Sequence, residues 1–296
     1  MKPTHSLRIL SGSIAAFLSI QSAHAATIYW DGTGTGWDVA ANWSTAVGFT
    51  TPDPAAIPGA SDVAFFSIST ITNTAQTVNL NANQAALGLI FLGTNSATTT
   101  LLGGETDRAL TLGTSGIAVN SGAGAVSIGS STAGQGAAIT LGGSQTWTNN
   151  STNTLTIENA VTNGANNLIV NGSGNTTVNG AIGNGAGALT MSGAGTLTLS
   201  GANTYTGTTT VSKGTLNVTG SLNGTSGTAL NIGAGTFSVG EASGVSQSMG
   251  AISFGGGMGT IQSTNNGGNS FLTFSHECPA VTTTVVIGCN LAVSKG

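Results

Sequence analysis

Short apolar pairs, two residues apart, run along most of the chain. Leu110/Leu112, Ile117/Val119, Val126/Ile128, Ile139/Leu141, Leu155/Ile157, Leu168/Val170, Leu189/Met191, Leu197/Leu199, Leu216/Val218, Leu230/Ile232 and Phe237/Val239 share this spacing. A period of two places both apolar side chains on one face of a strand and the residue between them on the other. Gly and Asn between the pairs supply the positive φ angles of tight turns. No stretch shows i, i+3, i+4, i+7 apolar spacing with helix caps, so the elements predicted are short strands.

The strands recur on a longer interval. Leu168 to Leu189 is 21 residues, Leu189 to Val211 is 22, Val211 to Leu230 is 19, and Leu230 to Ile252 is 22. A unit of about 20 residues carrying two or three strands predicts a solenoid coil, whose apolar stripe is buried only when neighbours stack on it. A β-sandwich also has short strands every 8–12 residues; the recurrence and the Gly and Asn content favour the solenoid. Composition supports a folded β protein over a disordered tract. Only 5% of residues are charged and 47 of 296 are Gly, yet 39% are hydrophobic.

Charge narrows the partners. The net charge is −4, and after the first eight residues the cations are Arg108, Lys213 and Lys295. Three scattered cations make no groove for nucleic acid and no patch for anionic lipid.

The N-terminus reads as a secretory signal peptide, residues 1–25. Lys2 and Arg8 form its basic end, Ile9 to Ile20 its apolar core, and Ala23-His24-Ala25 an A-x-A cleavage site before Ala26. That apolar run is too short to span a bilayer, which takes about 20 residues. No later stretch would cross as a helix, so a secreted or cell-surface location, associated with the outer membrane, is expected after cleavage near Ala25. Residues 26–66 are expected to be an aromatic-rich N-terminal cap, with Trp30, Trp37, Trp43, Phe49, Phe65 and Phe66 beside Asp31, Asp38, Asp53 and Asp62. Residues 67–274 are the solenoid repeats, and 275–296 an atypical tail.

From Leu189 to Val218 the chain reads LTMSGAGTLTLSGANTYTGTTTVSKGTLNV. This resembles the autotransporter-associated β-strand repeat of bacterial passenger domains. The matching positions are Gly193, Gly195, Leu197, Leu199, Gly201, Asn203, Tyr205, Gly207, Thr209, Val211, Gly214 and Leu216; Met191 and Thr208 depart from the common pattern. Residues 139–187 are similar to degenerate repeats, and Trp30-Asp31-Gly32, Asn42-Trp43 and Pro58-Gly59-Ala60-Ser61-Asp62 to the N-termini of such proteins. The resemblance implies a right-handed parallel β-helix, displayed or released, acting as a stalk, adhesin or matrix element, whose repeat assists folding during secretion. It implies no catalytic residue and no cofactor. Members commonly end in a membrane barrel or sorting segment, and neither is found in the sequence.

The chemistry-bearing residues are few. Between Ala109 and Ser275 the charged residues are Glu158, Lys213 and Glu241. In a solenoid the two glutamates would stand about 20 Å apart, at ~4.8 Å per coil, too far for a glycosidase pair. The four aspartates match no calcium loop and are read as turn and capping residues. Trp30, Trp37 and Trp43 would either plug the end of the core or form a platform for surface polysaccharide. Self-association is the other partner expected. Thr-x-Thr pairs such as Thr196/Thr198 and Thr208/Thr210 do not recur at a constant interval, which argues against a flat threonine face. Cys278 and Cys289 would form a disulfide in an exported protein, unless residues 275–296 reflect truncation or an altered frame. Serine and threonine have no base beside them, so no enzyme is expected.

Overall fold

The computed structural model describes residues 26–47, 51–66, 75–94, 96–183, 185–222, 228–240, 246–263, 271–274 and 287–289. They form a parallel β-solenoid of about 8 turns. In each regular coil one strand joins a first sheet and the next joins a second. The first sheet runs through Thr27–Trp30, Val63–Phe66, Gln84–Phe91, Arg108–Val119, Gln145–Asn149, Leu168–Asn171, Leu189–Met191, Thr209–Val211, Leu230–Ile232 and Ile252–Phe254. The second runs from Gln76–Asn79 through Thr99–Leu102, Val126–Ile128, Leu155–Ile157, Thr176–Val178, Thr196–Leu199, Thr215–Val218, Thr236–Val239 and Thr260–Ser263 to Ile287–Cys289. A shorter third strand per coil, such as Ala202–Asn203 over Ser221–Leu222, turns the chain back.

Unbroken columns of apolar side chains hold the coils together. On the first sheet Ile28, Ala64, Leu89, Ile117, Trp147, Val170, Met191, Val211 and Ile232 lie in register, coil upon coil. On the second, Val78, Leu101, Ile128, Ile157, Val178, Leu199, Val218 and Val239 do the same. All are buried. The alternation in the sequence is therefore the buried face of each strand, and a Leu or Ile so placed gains roughly 1.5–3 kcal/mol before entropy is counted. Leu110/Leu112 and Ile117/Val119 belong to one strand, Arg108–Val119, in which residues 113–116 pass between two neighbouring segments.

The N-terminal segment enters the same sheet. Thr27–Trp30 pairs parallel with Val63–Phe66 and antiparallel with Trp43–Ser44, so the stack begins with a short hairpin.

Candidate functional site

Three places carry the residues singled out above or gather polar chemistry. The first is the aromatic end. Trp30, Trp37 and Trp43 are buried, at 1%, 0% and 0% exposure. Trp43 meets Trp30 edge-on at 5.0 Å and Trp37 at 4.9 Å, and packs on Phe66 at 5.6 Å. Phe66 in turn stacks on Phe91 of the next coil at 5.1 Å. The indole Nε1 of Trp43 donates to the Trp37 carbonyl at 2.8 Å. No ring face of the three is open for a sugar to stack on, which corrects the platform expectation: these rings cost too much to leave in water when a coil end needs filling.

Two of the aspartates around them, Asp31 and Asp62, bond within their own turns, and Asp38 takes a bond from the facing Asn81. Asp31 Oδ1 accepts from the amide and hydroxyl of Thr33, Asp62 Oδ2 from the Gly59 amide, and Asp38 Oδ1 from Asn81 Nδ2. Among the described residues no three His, Cys, Asp or Glu side chains gather in a metal-holding group.

The second place is a polar groove of about 520 Å³ where four stacked segments, around Thr35, Asn79–Asn81, Gly104–Arg108 and Gln135, lie side by side. Thr35, Asn79, Asn81, Glu105, Arg108 and Gln135 line it around Gly104. Sequence reasoning did not bring these residues together. The signal was Glu105-Thr106-Asp107-Arg108, a dense run of charge in a chain with 5% charged residues. The turn is held from the next coil: Asp107 Oδ1 accepts from the Gly136 amide at 2.8 Å and the Arg108 amide donates to the Gly136 carbonyl at 2.9 Å. The Nε of Arg108 is buried and has no hydrogen-bond partner.

The third place is the segment read as a repeat. Its glycines stack on glycines one coil below: a Cβ on Gly201 would lie 2.5 Å from the Gly180 carbonyl oxygen, and one on Gly193 2.5 Å from the Gly172 amide nitrogen. Asn203, 1% exposed, joins three coils. Its Oδ1 accepts from the Ile182 amide at 2.8 Å, and its Nδ2 donates to the carbonyls of Gly201 and Ser221, both at 2.9 Å. Tyr205 is buried, and its hydroxyl pairs with Thr209 Oγ1 at 2.8 Å; Thr209 Oγ1 also pairs with Thr228 Oγ1 at 2.8 Å. Thr209 stands in the Leu189–Leu230 column, where a hydroxyl needs such partners. Burial pushes the Tyr205 phenol well above its ordinary pKa, and the Thr209 bond offsets part of that. Residues 184–218 match the family model of the passenger-associated-transport-repeat. The chain carries such a repeat. The match spans every motif position from Gly193 to Leu216. No curated protein and no solved structure matches the chain.

The passenger-associated-transport-repeat shares its outer face with the coils below it. Thr77, Thr100, Ser127, Thr156, Thr177 and Thr198 stand one above another on the outer side of the second sheet. These hydroxyls form a single column, which ends at Asn217 above Thr198, and not a face of repeated Thr-x-Thr pairs. Turns of unequal length absorb steps as short as 21 residues (Thr156 to Thr177) and as long as 29 (Ser127 to Thr156). Glu158 Oε2 accepts from Asn179 Nδ2 at 2.8 Å. No described helix is long and apolar enough to cross a membrane. Cys278 of the expected disulfide, the tail around it apart from Ile287–Cys289, and the signal segment 1–25 lie outside the described residues; Cys289 is described as part of the strand Ile287–Cys289.

Proposed function

We propose that this chain is an exported, non-enzymatic passenger-type solenoid that serves as a surface stalk, adhesin or matrix element, and that its repeat helps the stack fold during secretion. The observation carrying this reading is the passenger-associated-transport-repeat at residues 184–218, set inside a continuous parallel stack. Residues 185–218 support a templating role. Asn203 needs a coil below for Ile182 and a coil above for Ser221, so this turn offers hydrogen bonds that only the next can complete. A stack can then grow directionally as chain emerges, one coil at a time. The low charge and the apolar columns suit a stiff spacer. Its contacts at the surface would be with polysaccharide or with further copies of the chain.

The test is to express the full chain in a bacterium and follow where it goes. A product beginning at Ala26 outside the cytoplasmic membrane is expected. Product retained in the cytoplasm with Met1 to Ala25 still attached would overturn the reading.

A further inference from the structure

We propose that the groove beside the Glu105–Arg108 turn binds a short acidic saccharide, with the guanidinium of Arg108 taking a uronate carboxylate. The argument begins with size and lining. About 520 Å³ is ample for a small ligand. The walls are amides (Asn79, Asn81, Gln135), a hydroxyl (Thr35), a carboxylate (Glu105) and a guanidinium (Arg108). Amides both donate and accept, as sugar hydroxyls do. No aromatic residue lines the groove, so hydrogen bonds must carry recognition.

Arg108 decides the charge of the ligand. Its Nε is buried without a partner and out of a ligand's reach, so a ligand in the groove that Arg108 lines would meet the Nη end of the guanidinium. The paired Nη edge of a guanidinium matches a carboxylate with two parallel hydrogen bonds. The backbone of Arg108 is fixed by the Gly136 carbonyl, and the preceding Asp107 by the Gly136 amide, so the guanidinium is carried on a held strand end. Glu105 limits the ligand to a sparse anion: its carboxylate accepts from sugar hydroxyls and repels a densely sulfated or phosphorylated chain.

The opposite wall is arranged as firmly. Asn81 adopts φ 58, and its Nδ2 donates to Asp38 Oδ1 at 2.8 Å. Its Oδ1 lies 2.8 Å from where a Cβ on Gly104 would stand, and Gly104 itself has φ 108. Glycine at 104 therefore keeps this side of the groove clear. The groove spans the join between the N-terminal hairpin and the coil stack: the Asn79 amide donates to the Thr35 carbonyl, and the Asn81 amide to that of Gly103.

The experiment is calorimetric titration of the full mature chain with trigalacturonate, and separately with neutral maltotriose, at low salt. Trigalacturonate should bind, and maltotriose should bind about tenfold more weakly or not at all, given the worth of a charge-assisted hydrogen bond. Arg108→Gln should weaken trigalacturonate about tenfold, and Asn81→Gly, which suits the positive φ, about threefold. Circular dichroism of each variant reports folding; should Arg108→Gln fail to fold, Asn81→Gly decides. The proposal is overturned by no binding of trigalacturonate, by equal binding of maltotriose, by unchanged affinity in the deciding variant, or by acetate displacing the trimer at matched concentration. Each of these outcomes is separate from whether the chain is exported.

Discussion

At the N-terminal end, Trp30, Trp37, Trp43 and Phe66 fill a space that no later described coil repeats. Between residues 185 and 218 the same interior is filled by Leu, Val and Met columns, with glycines in contact at the corners and one asparagine tying three coils together. The end tolerates unmet polarity: Trp37 Nε1, Asp31 Oδ2 and both amide atoms of Gln76 are buried without partners. In the repeat, Asn203, Tyr205 and Thr209 all have theirs. An end has one neighbour and must close over a unique surface with bulk. An interior coil has two, and the repeat meets both with paired groups, although Asn163 Oδ1 and Thr176 Oγ1 in the coil below it are buried without partners.

That difference sets where damage should spread. Stability in a solenoid is a sum over coils and their interfaces. Trp43→Ala should be the most damaging change, about 3–5 kcal/mol, since it empties a site ringed by Trp30, Trp37 and Phe66. Hydrogen exchange should show the loss as fraying of Thr27–Phe91, with the coils beyond Leu189 still protected. Equal loss throughout would mean the two regions unfold as one unit and would erase the comparison.

In the repeat, Asn203→Leu should cost about 3 kcal/mol, because the Ile182 amide and the Gly201 and Ser221 carbonyls lose their partner inside the fold. Here exchange should rise on both sides of the substitution, at Ile182 and at Ser221, while the aromatic end keeps its protection. Gly201→Ala comes next, at about 2 kcal/mol, because the new methyl meets the Gly180 carbonyl and the coils must part. The same substitution at Gly164, which has nothing within 4 Å of its Cβ position, tests for contact separately from backbone strain. Gly164 has φ 56, so any loss there reports conformation alone.

The strands and their buried faces are readable in the sequence because burial on one side imposes a period of two. Leu197/Leu199 and Leu216/Val218 show it without any structure. Coil register is harder to read. The outer ladder of the second sheet holds Ser127 among its threonines, 27 residues after Thr100 and 29 before Thr156, so no fixed interval reveals it. Asn203 stands out as a motif letter, but its role is a contact among residues 182, 203 and 221, which sequence distance conceals. The groove is hidden for a similar reason. Thr35, Asn81 and Arg108 meet across three turns, and the four aspartates in 26–66 outnumber the denser charges at Glu105–Arg108.

The finest test of the contrast is Tyr205→Phe. It removes one hydroxyl and leaves Thr209 paired with Thr228, so at neutral pH the loss should be only about 1 kcal/mol. Its signature is in alkali. The folded phenol has a pKa raised above its ordinary 10.0, so the folded state holds its proton where the unfolded chain releases it. Stability from this group is complete below pH 10.0 and declines as pH rises from there toward the folded value. Wild-type protein should therefore lose denaturant resistance above that pH, and Tyr205→Phe should lose less. Parallel alkaline limbs would show that the buried tyrosine is not what makes the repeat sensitive to base. The rings packed around Trp43, those of Trp30, Trp37 and Phe66, carry no phenol, so exchange protection at Trp43 and Phe66 should change less over the same pH range than protection at Thr209–Val211.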